Sequence, residues 1–279
     1  MLHKECGKDC ILQGISDDSR RVEKNWLFIS HKDTYLHQMM HIQEALSKGA
    51  VVFCEYALEF ENVYVISNIE QVQKEILKFY YGDLCENIKV IGISGTNGKT
   101  TTACFLTQIL KKEGYKVLRI GTHLVDMNGD KQEIRNTTPD MYILAELFHE
   151  ALQKQITHVV MEVSSHAIDQ KRIGLLRFDL ILYSTPPITF NRVISSQKRR
   201  CKAKSYLLLK DIFPQNAVDL GMFSKRSLIY RLFRKKEKDL YQISDFIGCM
   251  SPANVDYVLT HNPEIKADRV EICPIVLNC

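Results

Sequence analysis

The sequence predicts an α/β protein in three parts: a small N-terminal α/β domain, a parallel sheet organised around a phosphate-binding loop, and a Rossmann-like α/β fragment. Three observations carry that prediction. Short apolar runs alternate with helix-period segments over residues 26–163. A strand, Val90-Ile-Gly-Ile, runs directly into a glycine-rich turn. The charge balance also changes along the chain: residues 1–190 hold 21 Lys/Arg against 24 Asp/Glu and residues 191–279 hold 16 against 9, within totals of 37 and 33.

The first domain is expected over residues 1–84. Trp26-Leu-Phe-Ile, Ala50-Val-Val-Phe-Cys and Val63-Tyr-Val-Ile read as strands, and Met39 to Lys48 as its one clear helix. A linker is expected at Tyr81 to Asn87. The second part, residues 85–178, follows as the Val90 strand, a helix to about Glu113, a strand from Lys116 to Ile120 and a turn at Asn128-Gly129-Asp130. A helix from about Pro139 to Gln153 and a strand from His158 to Val163 complete it. Strand, helix, strand, helix, strand implies a parallel sheet covered on both faces. Residues 179–279 form the third part, opening with the apolar strand Phe178-Asp-Leu-Ile-Leu-Tyr.

Composition bounds the function. At 279 residues, 45% hydrophobic and 25% charged, the chain is an ordinary globular sequence. No apolar run reaches the length of about 18 residues that a membrane span requires. The start, Met1-Leu-His-Lys-Glu-Cys, lacks the apolar core of a secretory signal, so the expected location is the cytoplasm. Nine cysteines without a C-x-x-C pair are read as reduced and mostly buried thiols. No zinc spacing, ribonucleoprotein motif or aromatic-interleaved basic stretch points to nucleic acid.

Gly95-Thr96-Asn97-Gly98-Lys99-Thr100-Thr101 lies between a buried strand and a helix N-terminus, whose free N–H groups and dipole attract anions. Its glycines let backbone wrap around a triphosphate, Lys99 reaches the outer phosphates and the Thr100 hydroxyl joins a magnesium shell. The strict eight-residue Walker spacing fails, because its first glycine would fall on Ile93. The shorter G-T-N-G-K-T form remains.

Here the chain resembles the Mur ligases, which use ATP to join an amino acid to a UDP-linked sugar peptide of the bacterial wall. The resemblance covers residues 1–178 and is carried by further blocks: Ile15-Ser-Asp-Asp-Ser-Arg-Arg-Val with Leu27-Phe-Ile, Asn136-Thr-Thr-Pro-Asp, and Met161-Glu-Val-Ser-Ser-His-Ala-Ile-Asp-Gln-Lys-Arg. Their order is similar to that of the UDP-N-acetylmuramoyl-tripeptide synthetase branch. The resemblance implies ATP and magnesium as cofactors, with a UDP-N-acetylmuramoyl peptide and an amino acid as partners. It places Gly95 to Thr101 on the ATP, Lys99 and Glu162 in catalysis, and Thr100 and Glu162 on the metal. Ser19 would contact the uridine end, and Asn136, Thr137, Thr138, Ser164, Gln170 and Arg172 would hold the substrate around its pyrophosphate and muramoyl group. Hydroxyls, an amide and a guanidinium suit such a ligand. Glu162 ends an apolar strand at the sheet edge where open α/β folds bind ligands.

Blander roles stay open. Thr137 and Thr138 are also placed to cap the following helix, Glu162 to pair with a lysine, and Ser19 with Arg20 to form a surface turn, each as the lesser reading, while His166 is equally suited to a structural role. Where relatives carry a glycine-rich segment with Asp-Gly-His, this chain has Lys32-Asp-Thr-Tyr-Leu-His37.

Beyond the Glu162 strand the histidine, aspartate and modified-lysine pattern of the ligases is not recognisable; Lys202 and Lys204 are the weak candidates for the modified lysine. Residues 179–279 resemble instead the middle of a two-Rossmann-domain glycosyltransferase, through Leu182-Tyr-Ser-Thr-Pro-Pro-Ile-Thr-Phe, Ser205-Tyr-Leu-Leu-Leu-Lys-Asp-Ile-Phe-Pro-Gln-Asn, Ile247-Gly-Cys-Met-Ser-Pro-Ala-Asn and Arg269-Val-Glu-Ile-Cys-Pro. A truncated or fused chain is therefore expected, joined within a strand that serves either parent, with weak or no ligase turnover. The helix Lys225 to Ile243 places Leu228, Ile229, Leu232, Phe233 and Leu240 on roughly one side, and Arg231, Arg234, Lys235, Lys236 and Lys238 largely on another. That pattern fits a solvated face packed on a sheet, or contact with an anionic membrane surface. The leading expectation is an ATP-dependent ligase of peptidoglycan precursor synthesis. The alternatives are a non-catalytic nucleotide-binding remnant, a glycosyltransferase fragment and a folylpolyglutamate synthetase.

Overall fold

The computed structural model describes residues 12–31, 35–185 and 190–273. Cys6, Cys10, the Lys32 to Thr34 stretch, Pro186 to Thr189 and the chain after Cys273 lie outside them. The described residues form two compact units, one within Met1–Leu84 together with Met141–His149 and the other within Cys85–Asp140 and Glu150–Cys279.

The first unit holds β1 (Gly14–Ser16), β2 (Trp26–Ile29), α1 (Tyr35–Ser47), β3 (Val51–Cys54), β4 (Val63–Val65) and α2 (Ile69–Tyr81). Its four strands pair in parallel in sequence order. Val22, Phe28, Ile42, Ala45, Ala50, Val52 and Cys54 make the core between sheet and helix. The sequence reading found one helix here, and the structure has two. In α2, Asn68 caps the first turn by accepting from the Gln71 N–H at 3.2 Å, and the buried residues Ile69, Gln73 and Leu77 recur every fourth position.

The second unit is built on one nine-stranded sheet. Its elements are β5 (Lys89–Ser94), α3 (Lys99–Lys112), β6 (Val117–Gly121), β7 (Leu124–Met127), β8 (Asp130–Glu133), α4 (Met141–Gln153, whose first nine residues group with the first unit), β9 (His158–Glu162), α5 (Ser165–Asp169), β10 (Leu180–Ser184), α6 (Asn191–Cys201), β11 (Lys204–Leu209), α7 (Gln215–Asp219), α8 (Leu228–Ile243), β12 (Phe246–Cys249), α9 (Pro252–His261) and β13 (Val270–Ile272). The strand order is β13-β12-β11-β10-β5-β9-β6-β7-β8. All pairs are parallel except β6–β7 and β7–β8, an antiparallel edge whose last turn is Asn128-Gly129 with both φ positive, as a two-residue hairpin requires.

The domain boundary expected at residues 178–179 lies inside this sheet. β10 pairs with β5 from Leu180↔Ile91 to Tyr183↔Ser94. Asp179 fastens the start of that pairing: its carboxylate accepts from the Val90 N–H at 2.9 Å and from Lys89 Nζ at 2.8 Å. Gly92 allows the close approach, because a Cβ there would stand 2.7 Å from the ring of the buried Phe178. An apolar strand of either parent pattern satisfies the same backbone ladder, so the sheet continues across the change in sequence character.

Helix α8 departs from its expected packing. Leu240 is buried with Glu237 and Tyr241, but Leu228, Ile229 and Leu232 are 81%, 55% and 56% exposed. Its polar core is organised by Arg234, which donates to Glu237 Oε2 at 2.7 Å and to Asn262 Oδ1 at 2.7 Å. Among the described residues Cys54, Cys85 and Cys249 are buried free thiols, Cys104, Cys201 and Cys273 are half-buried free thiols, and no helix is long and apolar enough to cross a membrane.

Candidate functional site

Strand order locates the site. β9 lies on one side of β5 and β10 on the other, so the chain reverses direction across the sheet at β5, and the carboxyl ends of these strands open the crevice where such sheets take ligands. The loop after β5 runs into α3 through Gly98, which sits at the helix N-cap with φ +83° and contributes no side-chain cap. Gly95 is also left-handed at φ +139°, and a Cβ there would collide with the Ser184 hydroxyl at the end of β10. The first N–H groups of α3 are therefore offered to an incoming ligand rather than to a capping side chain.

Lys99, the first residue of α3, folds back so that Nζ donates to the Gly95 carbonyl at 2.7 Å and the Thr96 carbonyl at 3.4 Å. Thr96, Asn97 and Gly98 are exposed, and Thr101 continues the first turn of α3. Thr100 is turned towards β9, and its Oγ1 donates to Glu162 Oε2 at 3.0 Å.

Glu162 ends β9 and is only 1% exposed. Its Oε1 accepts from the Thr122 N–H at 3.1 Å and its Oε2 from the Thr122 hydroxyl at 3.2 Å. Gly121 makes room for it, since any Cβ there would strike the carboxylate. The lysine partner left open by the sequence is not found: among the described residues its side-chain contacts are Thr100 and Thr122. A buried carboxylate surrounded by neutral donors lacks a compensating positive charge, which is the electrostatic condition for holding a cation.

The predicted substrate-binding residues divide. Thr138 is buried and does not act as a helix cap; its Oγ1 donates to the Glu162 carbonyl at 2.8 Å and accepts from the Ser164 N–H at 3.0 Å. Ser164 caps α5, accepting from the Ala167 N–H at 3.2 Å. Thr137 meets the Thr122 hydroxyl at 3.2 Å, and Asn136 is exposed beside it. Arg172 donates to the Thr138 carbonyl at 2.9 Å and to Gln170 Oε1 at 2.8 Å, so these two side chains hold each other at the rim. His166 is exposed. Ser19 belongs to the first unit, where the residue is 2% exposed and its hydroxyl is held by Glu44 Oε2 at 2.6 Å and His41 Nδ1 at 3.0 Å. Thr122, Ser184 and Lys210 were not singled out from sequence; each lies at or just beyond the carboxyl end of a strand, a placement that only the strand order reveals.

The donor set fits a magnesium nucleotide. Thr100 Oγ1 and Glu162 Oε2 supply hard oxygens at one place, whereas no group of three His, Cys, Asp or Glu residues occurs among the described residues. Magnesium characteristically takes one or two protein oxygens and completes its shell from phosphate and water.

Comparison with known proteins matches this part of the sheet. Residues 93–183 match the Mur ligase middle domain. The matched segment contains the loop, Asn136 to Thr138, Glu162, Ser164, Gln170 and Arg172, and it reaches into β10 as far as Tyr183. A UDP-N-acetylmuramoyl-L-alanyl-D-glutamate–2,6-diaminopimelate ligase of Phocaeicola vulgatus is 37% identical over 172 residues, 60% of this chain and 36% of the relative. The ligase of the same name from Bacillus cereus is 30% identical over 175 residues, 62% and 36% of the two chains. This chain therefore spans little more than a third of the length of the relatives it matches. In fold, it resembles a solved ligase of that name, with a TM-score of 0.53 at 20% identity over 93% of this chain and 47% of the other. It also resembles the diaminopimelate–D-alanyl-D-alanyl ligase of Acinetobacter baumannii, at a TM-score of 0.52 and 14% identity over 87% and 49%. The mixed α/β architecture with parallel sheets is that of Mur ligases.

Proposed function

We propose that this chain is a Mur-type ligase segment that binds ATP with magnesium and serves the joining of an amino acid to a UDP-N-acetylmuramoyl peptide in peptidoglycan precursor synthesis. The observation that carries the reading is the buried Glu162 carboxylate, without a cationic partner among the described residues and hydrogen-bonded to the Thr100 hydroxyl at the mouth of a left-handed glycine loop.

In this reading the N–H groups of the loop and of the first turn of α3 cradle the phosphates, and Lys99 neutralises charge on the outer ones. Thr100 and Glu162 would hold magnesium, which would supply positive charge against the phosphates. The peptide carboxylate attacks the γ-phosphorus, the ADP oxygen leaves, and the resulting acyl phosphate is open to an amine. Arg172, fixed by Gln170 and the Thr138 carbonyl, presents a guanidinium edge at the rim for pyrophosphate or carboxylate, with Asn136 and Thr137 beside it. Ser164 and Thr138 set the backbone around Glu162. The uridine end falls to the first unit on resemblance, where the Ser19 hydroxyl is already engaged by Glu44. Residues 179–279 continue the sheet and are given no catalytic residue of their own.

Calorimetry with ATP and magnesium on the 279-residue chain tests the reading. Lys99→Ala is expected to weaken binding at least tenfold, about 1.4 kcal/mol. Absence of binding in the unaltered chain would reject the ligase reading in favour of a non-catalytic remnant.

A further inference from the structure

We propose that Lys210, at the end of β11, is a second phosphate-binding cation of the loop, so that the nucleotide site draws one lysine from the loop itself and another from the C-terminal segment. The proposal rests on the nucleotide-binding reading and deepens it by adding a residue outside the segment that matches the Mur ligase middle domain.

The geometry begins with sheet order. β11 is separated from β5 by β10 alone, and all three run parallel, so the residue after β11 emerges on the same edge as the loop. A tight turn sets its direction: the Lys210 N–H donates to the Leu208 carbonyl at 3.1 Å, and the next N–H, that of Asp211, reaches the Thr185 hydroxyl at 3.5 Å. Lys210 Nζ then donates to the Asn97 carbonyl at 3.0 Å and would lie 2.8 Å from a Cβ placed on Gly98. Its ammonium group thus stands at the N-cap of α3, where the loop turns into the helix.

Two ammonium groups therefore flank one loop, Lys99 on the Gly95 carbonyl and Lys210 on the Asn97 carbonyl. Among the described residues the partners of both are backbone carbonyls and no carboxylate pairs with either. A neutral carbonyl uses one of the three donors of an ammonium and bonds it less strongly than an anionic oxygen does. A polyphosphate on the N-terminus of α3 would offer both lysines that stronger acceptor. Glycine at position 98 is required by its φ of +83°, and its missing side chain leaves free the space that Lys210 Nζ occupies.

The test is calorimetry of the full chain with ATP, ADP and AMP in magnesium, comparing the unaltered protein with Lys210→Ala, Lys210→Arg and Lys99→Ala. Lys210→Ala is expected to weaken ATP about tenfold, ADP less and AMP hardly at all, with a shallower salt dependence and an unchanged melting temperature. Lys210→Arg is expected to keep most of the affinity. ATP binding within about twofold of the unaltered chain in Lys210→Ala, together with loss in Lys99→Ala, would overturn the role of Lys210 and leave the nucleotide site standing. Equal weakening of all three nucleotides would reduce Lys210 to a loop support and overturn it too. No binding by the unaltered chain would remove both readings.

Discussion

Two buried glutamates in the nine-stranded unit are held in opposite ways. Glu237, 2% exposed on α8, has a guanidinium at 2.7 Å from Arg234 and the Tyr241 hydroxyl at 2.8 Å. Burial pushes its carboxyl above the usual carboxylate range and the nearby Arg234 charge pulls it back only in part. Glu162, 1% exposed at the end of β9, has hydroxyls and a backbone N–H but no arginine or lysine among the described residues. One carboxylate brings its counter-charge with it, as a packed interior demands; the other is left short of positive charge beside a loop suited to phosphate. The difference separates a structural ion pair from a carboxylate that, in the proposed reading, takes a cation.

The largest expected effect breaks the first arrangement. Arg234→Ala strands the Glu237 charge and the buried Asn262 amide, and is expected to cost about 3–5 kcal/mol in urea unfolding at neutral pH. The pH dependence has a defined sign. With its folded value raised, Glu237 contributes most favourably when protonated, below the unfolded value of about 4.3, and that contribution is lost as pH rises through the folded value. The Arg234→Ala deficit should therefore shrink as pH falls towards 4.3. A deficit independent of pH would show that Glu237 is not the group responsible.

A smaller effect is expected from Tyr241→Phe, which removes one donor to Glu237 Oε1 while keeping the buried ring; about 1–3 kcal/mol should be lost in the same measurement. The smallest stability change belongs to Glu162→Gln. Without nucleotide it should alter stability by less than about 1 kcal/mol, because it removes a buried charge that has no ionic partner among the described residues. Yet it should abolish the rise in melting temperature that the proposed function expects magnesium and ATP together to produce in the unaltered chain. A large destabilisation without ligand, equal to that of Arg234→Ala, would erase the contrast.

Much of the central architecture was legible because it is written in short stretches. The strands at Val90 and His158 are near-continuous apolar runs, the Asn128-Gly129 turn has one favoured geometry, and the loop glycines sit where the backbone is left-handed. Helix α2 escaped notice because its buried face includes Gln73, a polar residue at a core position. Helix α8 reads as a single amphipathic element, but its first turns leave Leu228, Ile229 and Leu232 exposed, since periodicity reports a face and not what covers it.

By itself, the sequence determined the loop, its lysine and threonine, and the carboxylate at a strand end, all of which follow from neighbours along the chain. Only the tertiary structure decided what meets them. Thr100 and Glu162 are 62 residues apart, Thr122 and Glu162 are 40 apart, and Lys210 and Asn97 are 113 apart. Their contacts depend on the order in which parallel strands pair, and the backbone hydrogen bonds of a sheet accept many orders equally well. Side-chain packing between distant segments selects one of them: Phe178 against Gly92 seats β10 beside β5, and with it the strand that carries Lys210.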